Sequence, residues 1–305
     1  MDVRLLEKSG YTHFEQEDQG NVGVAAMSRE KEAGAEALRV VITGGSKGLG
    51  YALAGEFLRA GDRVVLCGRD GTALDAACGS LRAACSGAWL ASYPCDVADP
   101  VQASGFAAFV RSELGGVDRW INNAGTAGAR KRPLWELDGC DIAATCATNL
   151  TGTMLMCAEA LRIMHEQPTT VRPSYHIFNM GFSVAGASFS RSALHHKASK
   201  RGVAEVTAFL HRELKAASWR SIGVHEVSPG LVLTDLLLRD ASVESQRILA
   251  ILARDPATVA ARLVPKLRYP DAAFSHIRTE PLLFMLLRVA LHLPRLFKPV
   301  ASVSP

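Results

Sequence analysis

The chain lacks any dense block of lysine and arginine. Its 34 basic residues are dispersed among 30 acidic ones over 305 residues, for a net charge of +4. Nucleic-acid binding needs a concentrated basic face, so that class is set aside. There is no Cys-x-x-Cys pair. Cys67, Cys78, Cys85, Cys95, Cys140, Cys146 and Cys157 are odd in number, scattered, and without metal-ligand spacing. They read as small buried thiols in a reducing compartment, not as a disulfide framework or a zinc site. No uncharged run is long enough to cross a bilayer as a helix. The first residues show no secretory signal, and Asp2, Glu7, Glu15, Glu17 and Asp18 make them a poor organelle transit peptide. No internal repeat occurs.

What the chain does have is apolar material, 48% of residues. That is enough for one large α/β domain with a substantial core. Residues 1–37 are polar and without period, and are expected to be a disordered extension. From Leu38 onward, strand-like and helix-like stretches alternate, which predicts a doubly wound parallel sheet of the Rossmann type in a single domain. Strands are expected at Arg39–Thr43, Arg63–Cys67, Trp89–Tyr93, Asp118–Ile121, Tyr175–Asn179 and Gly223–Val227. Helices are expected near Leu49–Ala60, Thr72–Ala84, Pro100–Leu114, Leu134–Met164 and His195–Lys215, the last with apolar positions at Val203, Val206, Phe209, Leu210 and Leu214. A seventh strand is not visible. The dinucleotide-binding domain is set at 38–270, followed by an apolar and basic helical extension at 271–305.

The chain is organised around Val40–Gly50, VVITGGSKGLG. A β-branched run ends in Thr43, glycines follow, and a helix-like segment begins. Strand, tight turn and helix set backbone N–H groups and a helix N-terminus against a pyrophosphate. Gly44 allows the sharp turn, Gly48 the close approach of phosphate, and Gly50 close packing of helix on strand. Ser46, Lys47 and Leu49 fill the turn between them. After the second strand the chain reads Cys67-Gly68-Arg69-Asp70. Arg69 and Lys47 are two cations placed for a 2′-phosphate, which favours NADP(H). Asp70 is the competing reading, since an acid here takes the ribose hydroxyl of NAD.

These features resemble the short-chain dehydrogenase/reductase family. Thr43, Gly44, Gly48 and Gly50 match its TGxxxGxG turn, and Asn122-Asn123-Ala124-Gly125 matches its NNAG element. The resemblance implies an adenine contact at Asp96 with Val97 beside it, cofactor contacts at Asn123, Ala124 and Gly125, and an active-site helix asparagine at Asn149. It also implies a nicotinamide-holding loop at Pro229, Gly230 and Thr234. The family centre is Ser, Tyr and Lys, with Tyr-x-x-x-Lys on one helix face. Here the stretch is His196-Lys197-Ala198-Ser199-Lys200, so histidine stands at the tyrosine position. The serine position falls on Ser183. The implied catalytic set is Ser183, His196, Lys200 and Asn149, with Lys200 also holding the cofactor ribose.

Imidazolium is a better acid than a phenol, but Lys200 one turn away disfavours a second cation. His196 is open to three readings: an acid at mildly acidic pH, a relay to water, or the mark of a silenced site. His195 reads as a surface helix residue. A metal site from His195, His196 and His176 is not expected, because adjacent helical histidines point in different directions and no carboxylate accompanies them.

Within the family, GYALAGEFLRAGDRVV, WINNAG, HIFNM, SPGLVLTDLLL and LVPKLR resemble the chlorophyll(ide) b reductases of chloroplasts. That branch implies NADPH as cofactor, a hydrophobic carbonyl substrate such as chlorophyll(ide) b, reduction of its 7-formyl group, and a chloroplast location. The alternatives left open are a catalytically weak NADP(H)-binding protein working through a partner, and a reductase of another hydrophobic carbonyl compound. The C-terminal segment Pro281–Phe297, PLLFMLLRVALHLPRLF, is open to three uses: a peripheral membrane contact, a cover for a hydrophobic substrate tail, or packing on its own domain or a second subunit.

Overall fold

The computed structural model describes residues 36–182, 192–238, 246, 249 and 253–279. The expected extension at 1–37 and the segment Pro281–Phe297 therefore lie outside the described residues, apart from positions 36 and 37. So does Ser183.

Seven parallel strands form one sheet in the order β3-β2-β1-β4-β5-β6-β7. They are β1 Arg39–Thr43, β2 Arg63–Gly68, β3 Leu90–Pro94, β4 Arg119–Asn122, β5 Tyr175–Met180, β6 Ile222–Ser228 and β7 Phe274–Arg278. Among the described residues, the helices of two turns or more are α1 Gly48–Arg59, α2 Gly71–Ala84, α3 Pro100–Leu114, α4 Gly139–Cys146, α5 Gly152–His165, α6 Leu194–Ala216 and α7 Pro256–Arg268; a single helical turn spans Asp235–Leu238. The central strand β1 shows why both faces must be covered. Val40 and Ile42 enter a core with Leu53 and Phe57 of α1 and Leu263 of α7. Val41 between them enters a second core with Phe106 of α3 and Met156 of α5. A strand buried on both faces is apolar without alternation, which is how it stands in the sequence.

Local signals set the helix ends. Asp99 accepts from Val101 and Gln102 N–H, Pro100 opens α3, and Gly115 closes it in the left-handed region at φ 69°. The long helix expected over Leu134–Met164 is instead a 3-10 turn at Leu134–Glu136, then α4, a π turn at Ala147–Thr151, and α5. Asp138 starts α4 afresh by accepting from the Cys140 N–H. The seventh strand, FSHIR, pairs with β6. It sits at the sheet edge with only Ile277 buried, so its sequence carries no apolar run. In α6, Val203 and Leu214 are buried as expected, but Phe209 is 52% exposed and lies under the Arg212 guanidinium.

β1 leads to β2 on one side, and β4 lies on the other. In a sheet wound in both directions, the crevice for a ligand opens beyond the carboxyl ends of the strands at this reversal.

Candidate active site

At the carboxyl end of β1, Gly44 has φ 68° and Gly48 φ 59°, both in the left-handed region. A Cβ on Gly44 would also come within 2.8 Å of the Ala124 Cα. The turn is tied to the end of β4. The Asn123 side chain donates to the Thr43 and Gly44 carbonyls at 3.0 Å each. The Thr43 hydroxyl accepts from the N–H groups of Asn123 at 3.1 Å and Ala124 at 3.0 Å. Asn123 and Ala124 thus shape the cradle itself. At the start of α1, the Lys47 side chain makes no cap and the first turn carries no acid. A helix N-terminus with free N–H groups, no acid and a glycine approach fits a dinucleotide pyrophosphate.

Lys47 is exposed and pairs with Asp235 at 3.1 Å, bridging the glycine turn to the Pro229–Thr234 loop. Thr234 lies over the turn, with its methyl 3.2 Å from where a Gly48 Cβ would be. Gly230 has φ 79°. Of the two charges after β2, Asp70 is engaged as the α2 cap, accepting from Ala73 N–H at 3.0 Å. Arg69 beside it is exposed and makes no hydrogen bond among the described residues. Asp96 accepts from Ala98 N–H at 3.0 Å just past β3. Val97 is buried against Gly152 at the start of α5.

Three elements meet beyond β4 and β5. Asn149, fully buried in the π turn, accepts from Thr126 N–H at 2.8 Å and donates to the Thr126 carbonyl at 2.9 Å. It also donates to the Ser199 hydroxyl at 3.0 Å. Ser199 in turn donates to the His196 carbonyl at 3.0 Å. Lys200 is buried on α6, and its ammonium donates to the Met180 carbonyl at 2.9 Å. A Cβ on Gly125 would stand 3.1 Å from both Asn149 Oδ1 and Lys200 Nζ, so that glycine keeps the space between them clear. Burial pulls the Lys200 ammonium down to about 8. His196 is buried, with Phe182 edge-on at 5.2 Å and no hydrogen bond to Nδ1. Burial first, then the charges of Lys200, His195 and Lys131, hold its imidazole down to about 4.

His195 corrects the expectation of a surface residue. It is 2% exposed, and its Nε2 stands 3.8 Å from the Asp141 carboxylate of α4. Asp141 itself accepts from Ala129 N–H at 2.8 and 3.0 Å. The stripe buried on α6 runs His195, His196, Ser199, Lys200, Val203, Ala204, Thr207. It is largely polar, so hydropathy does not reveal it. Thr126, Ser199, Asp141 and Lys131 were not singled out from the sequence. Thr126 and Ser199 act only through Asn149, and nothing in sequence spacing marks them. His176 lies on β5, where its Nδ1 is hydrogen-bonded to His225 Nε2 at 2.9 Å.

The fold and this crevice define an oxidoreductase. The chain belongs to the short chain dehydrogenase family, whose model matches residues 38–244. A rice protein, chlorophyll(ide) b reductase NOL, chloroplastic, is 36% identical over 231 residues, covering 75% of this chain and 66% of that one. The Arabidopsis thaliana protein of the same name is 36% identical over 253 residues, covering 82% and 71%. The chain thus spans about two thirds of these relatives. A solved metagenomic short-chain oxidoreductase in complex with NADP superposes with TM-score 0.61 at 26% identity, covering 80% of this chain and 98% of that one.

Proposed function

We propose that the protein is an NADPH-dependent carbonyl reductase of the chlorophyll(ide) b reductase type, working in the chloroplast on a formyl group borne by a large apolar molecule. The observation that carries the proposal is the convergence of Asn149, His196 and buried Lys200 beyond β4 and β5, beside a glycine turn whose helix has no acid in its first turn. The relatives' names and the NADP-bound neighbour support the substrate class and the cofactor.

Thr43, Gly44, Ser46, Gly48, Leu49 and Gly50 would cradle the pyrophosphate. Arg69 and Lys47 would take the 2′-phosphate, and Asp96 and Val97 would flank the adenine. Asn123, Ala124 and Gly125, with Pro229, Gly230 and Thr234, would hold the ribose and nicotinamide. When bound, the cofactor would supply the hydride that reduces the carbonyl carbon, and a proton delivered to the oxygen would complete the primary alcohol. At neutral pH, His196 is an uncharged imidazole, because burial and Lys200 keep it so. A neutral ring N–H still polarises a carbonyl by hydrogen bonding, as a partner to the Ser183 hydroxyl. The proton reserve is the Lys200 ammonium, whose pKa of about 8 matches the working range. Asn149 fixes the end of the crevice through Thr126 and Ser199.

Anaerobic turnover of chlorophyllide b with NADPH, followed by appearance of the 7-hydroxymethyl product, tests the reading. Turnover of other apolar aldehydes alone transfers the mechanism to another substrate. Binding of NADPH without turnover of any carbonyl favours the second reading, a cofactor-binding protein that acts through a partner. The histidine at the tyrosine position, His196, is the observation behind that alternative.

A further inference from the structure

The segment that follows the NNAG element ends in a feature the cofactor site does not use. Arg130, Lys131 and Arg132 are consecutive, and Pro133-Leu134-Trp135-Glu136 comes next. Leu134 and Trp135 form a 3-10 turn that buries nothing. Trp135 is 84% exposed and Leu134 43% exposed. Among the described residues, Arg130 and Arg132 are exposed and neither has an acidic partner. The acids at hand are Glu136, Asp138 and Asp141. Asp138 caps α4 and Asp141 accepts from the Ala129 N–H, while the stretch Arg130–Trp135 itself carries cations and no acid.

This loop borders the crevice. Its base, Thr126, is bonded to Asn149 at 2.8 Å. Its middle, Lys131, donates to the Leu237 carbonyl at 3.0 Å, joining it to the turn beyond Thr234. An exposed indole and an isobutyl group cost free energy in water and make poor linkers. They stand exposed on a 3-10 turn that has no buried residue of its own. A tryptophan beside arginines on an exposed turn is the chemistry of an anionic bilayer surface, where the ring lies at headgroup depth and the cations pair with lipid phosphates.

We propose that the Arg130–Trp135 loop docks the protein on anionic membrane, with Leu134 and Trp135 entering the interface and Arg130 and Arg132 contacting headgroups. Docking turns the mouth of the crevice toward the lipid, so a membrane-dissolved substrate reaches it without crossing water. The inference does not rest on which carbonyl compound is reduced.

The test is co-sedimentation of the full chain with vesicles of phosphatidylglycerol and phosphatidylcholine, against phosphatidylcholine alone, with no substrate or cofactor present. The intact protein should pellet with the anionic vesicles only and be released by salt. Trp135→Ser should weaken partitioning on the order of tenfold. Arg130→Gln with Arg132→Gln should weaken it about fivefold per cation removed. All three substitutions are at exposed positions, and unchanged thermal unfolding checks that they fold. Equal binding to phosphatidylcholine alone overturns the proposal. So does unchanged pelleting of Trp135→Ser, or pelleting abolished only by deletion after Glu280. Because the assay reads lipid binding alone, failure of the reductase reading leaves it intact, and the reverse holds too.

Discussion

The two ends of the sheet treat buried polar groups in opposite ways. At the amino end they are used on one another. Arg119, the first residue of β4, donates to the carbonyls of Asp118, Ser174, Leu267 and Arg268. Arg268 pairs with buried Asp62 at 3.0 Å, and Arg39 with Asp118 at 2.7 Å. His176, His225 and Ser275 form a chain with steps of 2.9 and 2.8 Å. At the carboxyl end three buried side chains are left short. Lys200 has one carbonyl, His196 Nδ1 has none, and His195 reaches its carboxylate only at 3.8 Å. Satisfied buried groups hold a fold together; unsatisfied ones are free to meet a ligand, and the fold carries their cost.

The comparison breaks first at His196. His196→Phe should lower turnover about 10²–10⁴-fold and leave nicotinamide binding and the melting temperature nearly unchanged. Steady-state kinetics beside thermal unfolding reads both. His196→Tyr should raise turnover by a similar factor if the site is silenced, and change it only modestly if histidine is a working replacement. With Lys200 as the proton reserve, the parent's rate should be flat through neutrality and fall as pH rises past about 8. A fall confined to the region near 4 would instead make His196 imidazolium the acid.

At the opposite end, Asp62→Ala should cost on the order of 3–5 kcal/mol of stability, because it strands the buried Arg268 guanidinium. Turnover per folded molecule should not move. Urea unfolding with activity normalised to folded protein separates the two effects.

Acid sharpens the contrast. His196 and His225, one at each end, are both held down to about 4 by burial. The unfolded chain takes up protons that the folded chain refuses as pH falls from about 6.5 to 4. Stability is therefore full above that window and lost through it, by on the order of 3 kcal/mol per histidine at most. His196→Phe should remove its share of the acid slope without harm at neutral pH.

The smallest effect belongs to the cofactor edge. Arg69→Ala should weaken NADPH by about 1.5–3 kcal/mol and leave NADH almost untouched, as read by fluorescence titration. Equal affinities in the parent would remove Arg69 and Lys47 from the cofactor assignment.

β1, β2, β4, β5 and β6 were legible because both their faces are buried, so apolar runs stand out; β3, an edge strand with only Leu90 buried, was legible from its aromatic residues and the proline that ends it. β7 was not legible, since an edge strand with one buried side chain reads as loop. The glycine turn and NNAG were legible because backbone geometry there admits few residues. The surroundings of the catalytic helix were not. His195 stood in plain view and reads as surface, because its burial comes from α4, a helix whose start the sequence merges into a longer one. Phe209 reads as core and is exposed, for the converse reason: among the described residues, no element covers it on α6.

The π turn at Ala147–Thr151 has one more consequence. It places one residue too many in a turn, and each residue of a helix is about 100° of rotation. α4 and α5 are therefore out of phase by that angle, and the Asn149 carbonyl finds the Thr153 hydroxyl at 2.7 Å. Chain length, not residue choice, aims the asparagine. Any shortening by a single residue within this turn would let one continuous helix form, more regular than the present one, and swing Asn149 away from Thr126 and Ser199.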